Sequence, residues 1–180
     1  VFRGYHRNPE ATAEAVDADG WLHTGDAGFL DERGHLVVID RQKDVVTAPD
    51  GTRYSSAFIE NKLKFSPYIE EAVALPAEDA MTALITLDPF TTGSWAETQR
   101  LGYTTYADLA TKTEVGDLIA QEITRANADL PESIRVRRFV ILHKQFDPDD
   151  DEITRTRKVR RNVIADRYGQ IISALAEGRE

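Results

Sequence analysis

Val115, Leu118, Ile119, Ile123, Ala126 and Leu130 fall on one face of a helix that Leu130-Pro131 brings to an end. A helix striped in this way holds in water only against an apolar partner surface. The chain supplies that surface in the apolar, β-branched runs Ile69 to Leu75 and Thr82 to Leu87, which read as two strands of a small sheet. Ile134, Val136, Phe139, Val140, Ile141 and Leu142 make a further strand, and Val163, Ile164, Tyr168, Ile171, Ile172 and Leu175 form the stripe of one last helix. Thr111 followed by Glu114 fits a capping box opening the long helix. Strands and helices alternate without a repeating unit, so the expected fold is α+β, a small β-sheet flanked by helices.

Residues 1 to 42 read differently, as short strands and turns. Asp31-Glu32-Arg33-Gly34 lies between Gly28-Phe29-Leu30 and the apolar run Leu36 to Ile39, a hairpin signal. Charge from Arg41 to Asp44 then breaks the apolar run, and a domain boundary is expected there, dividing 1–42 from 43–180. Val45-Val46-Thr47 can resume a strand, Pro49-Asp50-Gly51 is a turn, and Ser55-Ser56 can cap a helix through Ile59 and Leu63 to Phe65. Pro76 and the polar residues after it connect the two central strands. The segment from Pro89 to Thr113, with Phe90, Trp95, Tyr103 and Tyr106, holds one or two short helices.

Composition narrows the function classes. A net charge of -9 over 180 residues argues against broad binding of nucleic acid or anionic membrane, which reward a surplus of Lys and Arg. With no cysteine, disulfides, thiolate zinc sites and cysteine nucleophiles are excluded. The four histidines, His6, His23, His35 and His143, have no metal-ligand spacing and no partnered nucleophile, so no metal site is expected from them. No run approaches the roughly 18 apolar residues of a membrane span, and the default location is cytoplasmic. The first residue is a valine in mid-motif, which suggests a piece of a longer protein.

Three sets of residues can do chemistry. In Thr24-Gly25-Asp26 the glycine lets the backbone come close and the carboxylate can accept two hydrogen bonds from vicinal hydroxyls, as in a ribose; an isolated Asx-type turn gives the same pattern. Arg41, after the strand Leu36 to Ile39, offers a rigid fork of donors to ribose oxygens or a carboxylate, or simply pairs with Asp40 or Asp44. Lys158 sits among Arg155, Arg157, Arg160 and Arg161 on a Thr-rich loop, behind the acidic run Asp147 to Glu152. A lysine so placed can meet a carboxylate or phosphate, and the plain alternative is a solvated, self-compensating surface.

The order and spacing of Gly20-Trp21-Leu22-His23-Thr24-Gly25-Asp26, Gly34 to Asp44 and Ile153 to Arg161 resemble the adenylate-forming synthetases, which include acyl-CoA synthetases, luciferases and peptide-synthetase adenylation domains. Gly4-Tyr5 with Asn8 to Thr12 resembles the segment that precedes the Thr-Gly-Asp motif, so the resemblance runs from about the first residue to the last helix. It implies a mobile C-terminal lid, preceded by a short β-rich tail of a larger N-terminal domain. It further implies that Asp26, Thr24 and Arg41 hold the ribose of ATP and of the acyl-adenylate. Lys43 matches the hinge about which the lid turns between an adenylate-forming and a thioester-forming pose. Gly51 lies where the loop borders the pantetheine tunnel, although a positive φ in its turn would explain it equally. Lys158 matches the lysine that bridges substrate carboxylate and α-phosphate, and Glu60 matches a structural helix residue.

The chain also departs from the common pattern. The widespread last motif has glycine immediately before the lysine, where this chain has Arg157, and Thr47 stands where luciferase-like enzymes carry a second lysine. Thr-Arg-Thr-Arg-Lys-Val-Arg-Arg is most similar to the long-chain fatty acyl-CoA synthetase branch. No phosphate-binding loop, magnesium-binding glutamate or acyl pocket is recognisable. The resemblance therefore implies a C-terminal fragment, inactive alone, of an enzyme that joins a fatty acid to CoA with ATP, with Mg2+ held by the N-terminal domain. A fatty acyl-AMP ligase or adenylation domain loading a carrier protein is the nearest alternative, and a noncatalytic AMP-binding or interaction module the other.

Overall fold

The computed structural model describes residues 2–48, 50–76 and 81–177. Pro49 of the expected Pro-Asp-Gly turn and the connection at 77–80 lie outside the described residues. The chain divides into two compact units, Val1–Val46 and Thr47–Glu180.

The first unit opens with a helix, α1 (Pro9–Ala15), where strands and turns were expected. Its start is set locally: the Asn8 side chain accepts from the Ala11 N–H at 3.0 Å, Pro9 lacks the N–H that a first turn cannot use, and Glu10 complements the helix dipole. The expected hairpin follows as β1 (Asp26–Leu30) and β2 (Leu36–Arg41), antiparallel, with Asp26 opposite Arg41 and Leu30 opposite Leu36. Asp31 shapes the turn by accepting from the Arg33 and His35 N–H groups at 2.9 and 2.8 Å. Gly28 is needed for close approach, since a Cβ there would lie 2.6 Å from the Val37 carbonyl oxygen. Phe29, Leu30, Leu36, Val37 and Val38 are exposed, and Ala27 is the buried hydrophobic residue among those described in this unit.

β3 (Val45–Thr47) carries the chain into the second unit and pairs with β4 (Arg53–Ser55). Ser55 caps α2 (Ser56–Leu63), its hydroxyl accepting from the Phe58 N–H at 3.1 Å. The main sheet has the order β5 (Ile69–Pro76), β6 (Met81–Leu87), β7 (Val136–Ile141), with β5 antiparallel and β7 parallel to β6. A parallel neighbour demands a crossover. It is made by α3 (Pro89–Thr98), α4 (Tyr106–Ala110) and α5 (Thr113–Ala128).

Every residue of β6 is buried because both faces of the sheet are covered. Ala72, Ala74, Ala83 and Ile85 pack with Ile59, Leu63, Val115, Ile119 and Ile123 on one side. Val73 and Leu84 point the other way, into a cluster with Leu142, Phe146, Ile153, Ile164 and Tyr168. The long helix carries the expected stripe, but Thr111 does not cap it. The Thr111 hydroxyl donates to the Asp108 carbonyl at 2.8 Å, closing α4, and Lys112 precedes α5 without a side-chain cap.

The single final helix expected from the apolar stripe is two, α6 (Arg161–Arg167) and α7 (Gly169–Ala176). Tyr168 leaves helical geometry at φ -103° and ψ 12°, and Gly169, a weak helix former, follows it. The break lets the Tyr168 ring pack against Phe146, with centroids 6.3 Å apart, while its hydroxyl donates to Glu152 at 2.8 Å.

Glu152 is 0% exposed. Besides Tyr168 it receives Arg167 at 2.9 Å, Lys144 at 3.0 Å and the Asp147 N–H at 3.1 Å. Burial by itself would raise its carboxyl, yet these donors, Arg167 and Lys144 foremost, hold it below the ordinary value of 4.5. Tyr168 moves the opposite way, pushed up to about 12 by burial and then by its bond to Glu152. Because the folded carboxyl titrates below the unfolded one, its contribution is complete above pH 4.5 and is lost as pH falls through the lower folded value. Glu152→Gln should therefore cost on the order of 2–4 kcal/mol at neutral pH. It should also flatten the loss of stability below pH 4.5, as measured by denaturant unfolding across an acid series.

Candidate functional site

The hairpin register brings three of the expected nucleotide residues together. Asp26 begins β1 and faces Arg41 at the end of β2, and Arg41 Nη1 lies 3.0 Å from Asp26 Oδ1. The same Nη1 donates to the Thr24 carbonyl at 2.9 Å, and the Thr24 hydroxyl accepts from the Asp26 N–H at 3.2 Å. Asp26 is thus not spent on its own turn: Thr24 satisfies its backbone, and its carboxylate faces Arg41. Thr24 and Asp26 border an open cleft of about 620 Å3 that Tyr5, Leu22, His23 and Gln42 also line. A carboxylate with free acceptor capacity beside a fixed guanidinium can take a vicinal diol.

Lys43 follows at once, exposed in a 3-10 turn (Gln42–Asp44) and paired with none of the described residues. The turn is tied back to the motif by the Gln42 N–H, which donates to the Gly25 carbonyl at 2.7 Å.

In the second unit, Gly51 has φ +87°, its N–H donates to the Ala48 carbonyl at 2.9 Å, and Asp50 accepts from the Thr52 N–H at 2.9 Å. A left-handed turn residue accounts for the glycine locally. A Cβ there would meet nothing within 4 Å, so the position is also open on its outer side.

Lys158 sits in a closed loop whose ends meet at an antiparallel bridge between Ile153 and Val159. The Thr154 N–H donates to the Lys158 carbonyl at 2.8 Å, the Lys158 N–H to the Thr154 hydroxyl at 3.0 Å, and the Arg157 N–H to the Thr154 carbonyl at 2.8 Å. Three of the four surrounding arginines are held by carboxylates, and Arg155 is exposed and paired with none of the described residues. Arg161 makes a two-pronged contact with Glu60 at 2.6 and 2.5 Å, Arg160 pairs with Asp151 at 2.7 Å, and Arg157 pairs with Glu70. Lys158 is exposed and has no carboxylate partner among the described residues. Glu60, buried, also accepts from the Ala74 N–H at 2.8 Å, so it ties α2, β5 and α6 together as a structural residue.

Two features of this loop escaped the sequence reading. Glu152, taken as part of a solvated acidic run, is a buried anchor immediately before the loop. Arg157 has φ +59°, a left-handed backbone that costs a side-chain-bearing residue about 1–2 kcal/mol. The signal was present in the sequence, since arginine stands where the common motif has the one residue that adopts this backbone freely.

Among the described residues no group of three or more His, Asp or Glu is arranged to hold a metal ion, and no helix is long and apolar enough to cross a membrane.

No family model matches the chain. It is 35% identical over 177 residues to a long-chain-fatty-acid–CoA ligase of Mycobacterium tuberculosis, a match covering 97% of this chain and 29% of that protein. Human long-chain-fatty-acid–CoA ligase 6 is 30% identical over 179 residues, covering 97% of this chain and 26% of that protein. The chain thus spans less than a third of the length of these relatives. Among solved structures, the adenylation domain of a carboxylic acid reductase from Segniliparus rugosus, in complex with AMP and a co-purified carboxylic acid, superposes with a TM-score of 0.69 at 20% identity. That match covers 99% of this chain and 27% of the other, and at this identity it speaks for the fold. By sequence kinship the chain is a homologue of one part of the long-chain-fatty-acid–CoA ligases, and its fold is the one seen in the adenylation-domain structure.

Proposed function

We propose that this chain is the C-terminal lid, with a short tail of the large domain, of an enzyme that activates a long-chain fatty acid with ATP and passes it to CoA. In the first half-reaction a carboxylate oxygen bonds to the α-phosphorus of ATP and the bond to pyrophosphate breaks. In the second, the CoA sulfur bonds to the acyl carbon and AMP leaves. Lys158 serves the first step. Two anions must approach while negative charge grows on the departing pyrophosphate, and a positioned ammonium offsets both effects. The observation that carries this reading is the state of Lys158, an exposed cation without a carboxylate partner among the described residues, on a loop whose neighbouring arginines 157, 160 and 161 are each held by a carboxylate.

Asp26 and Arg41 receive the ribose, with Thr24 holding the turn in shape. Lys43 is the pivot, a charged exposed residue that tolerates solvent in either pose. The division into units after Val46 supports a pivot in this neighbourhood. The remainder of the enzyme, residues 1–42 being its end, supplies the phosphate loop, Mg2+ and the acyl pocket, so the fragment by itself is inactive. The exposed apolar residues of the β1–β2 hairpin support its continuation into that larger domain.

Two substitutions in the full-length ligase separate the half-reactions. Lys158→Ala should lower carboxylate-dependent pyrophosphate exchange on the order of a hundredfold or more while thioester formation from preformed acyl-adenylate and CoA persists. Unchanged exchange would return the loop to an ordinary charged surface. Gly51→Asn, chosen because asparagine tolerates left-handed backbone, should slow thioester formation and spare exchange. Because a Cβ at position 51 meets nothing within 4 Å, equal rates in both assays would remove Gly51 from the CoA path.

A further inference from the structure

We infer that Arg157, through its ion pair with Glu70, is a positioning residue that fixes the tip of the loop carrying Lys158. The inference rests on the reading of Lys158 as the lysine of the adenylation step. Three independent features converge on the pair. The β5–β6 register passes from Ile69 opposite Leu87 to Glu71 opposite Thr86, leaving Glu70 as the extra residue of a β-bulge. Bulges re-aim a side chain, and here the redirected carboxylate bridges two loops, Oε1 taking Arg157 Nη2 and Oε2 taking Gln145 Nε2. Second, Arg157 keeps a left-handed backbone, φ +59°, that is uncommon for a non-glycine residue. Third, the restraint acts next to the functional group: the Arg157 N–H closes onto the Thr154 carbonyl and the following Lys158 N–H onto the Thr154 hydroxyl.

A glycine at 157 would adopt the same turn without strain but could not be tethered. Arginine accepts the strain and gains a side chain that reaches a fixed carboxylate on the sheet. The pair also occupies the guanidinium adjacent to Lys158, so Arg157 does not compete for the anionic substrates. Glu70 is well shielded, its side chain 19% exposed, whereas Arg157 is 68% exposed, so either can be replaced without opening the core.

The test uses the full-length ligase with Glu70→Ala, Arg157→Gly, the double variant and Lys158→Ala. Each single change at the pair should lower kcat for pyrophosphate exchange on the order of ten- to a hundredfold, with KM for ATP nearly constant and thioester formation from preformed adenylate retained. The double variant should be no worse than the singles. Arg157→Gly should melt no lower than wild type, because strain leaves with the tether. Stability kept and adenylation lost is a combination that a merely structural role does not produce. Wild-type exchange in both single variants, with Lys158→Ala inactive, overturns the latch and leaves the lysine reading standing. Parallel loss of both half-reactions overturns it too, as a general structural defect. Exchange that survives Lys158→Ala brings down the functional reading and the latch with it.

Discussion

A carboxylate taken out of water must be surrounded by donors, and two such carboxylates determine where the lysine loop starts and stops. Glu152 gathers Lys144, Arg167, Tyr168 and a backbone N–H immediately before the loop. Glu60 takes both prongs of Arg161 immediately after it. An unpaired buried charge costs several kcal/mol, so neither end can move without the other elements that its carboxylate holds. Between these anchors the loop is short, cross-bridged through Thr154, and exposed at its tip. The chemistry proposed for Lys158 needs that combination of fixed ends and an accessible ammonium.

The central sheet explains why the anchors stand where they do. With β6 buried on both faces, the helices must be divided between two sides, and α6 with α7 closes the side opposite α2 and α5. Packing α6 there places Arg161 beside α2 and Arg167 beside the acidic loop. Hydrophobic layering thus sets the geometry, and the ion pairs select one arrangement within it. The first unit works by another rule. Its hairpin has little core of its own, and its order comes from turn chemistry, from Asn8 at the start of α1 to Asp31 in the hairpin turn.

Periodicity made the three sheet strands, the capped α2 and the striped α5 legible in the sequence, because burial on a face leaves a repeating mark. Signals that depend on a single residue were harder to weigh. Asn8-Pro9-Glu10 carries a complete helix start, yet the helix is only seven residues long and leaves no stripe to support it. The final apolar stripe passes through Tyr168 unbroken, although the chain bends there to bring a hydroxyl to Glu152. Thr111 looked like a cap by spacing, but its hydroxyl is used by the helix before it. At the site, the nearness of the Thr24-Gly25-Asp26 and Arg41 segments could be read from the hairpin signal, but not the pairing of Asp26 with Arg41, which lies beyond a register shift at Ala27–Gly28. The Glu70 bulge could not, since a one-residue slip in pairing leaves no compositional trace.

The account's central claim concerns where one ammonium goes during the reaction. The most direct measurement is a crystal structure of the full-length ligase with fatty acid and a non-hydrolysable ATP analogue, captured in the adenylate-forming pose. The account predicts Lys158 Nζ within about 3 Å of both the substrate carboxylate and an α-phosphate oxygen, with Asp26 accepting from the ribose hydroxyls. A lysine left in solvent while another cation fills that position would contradict it.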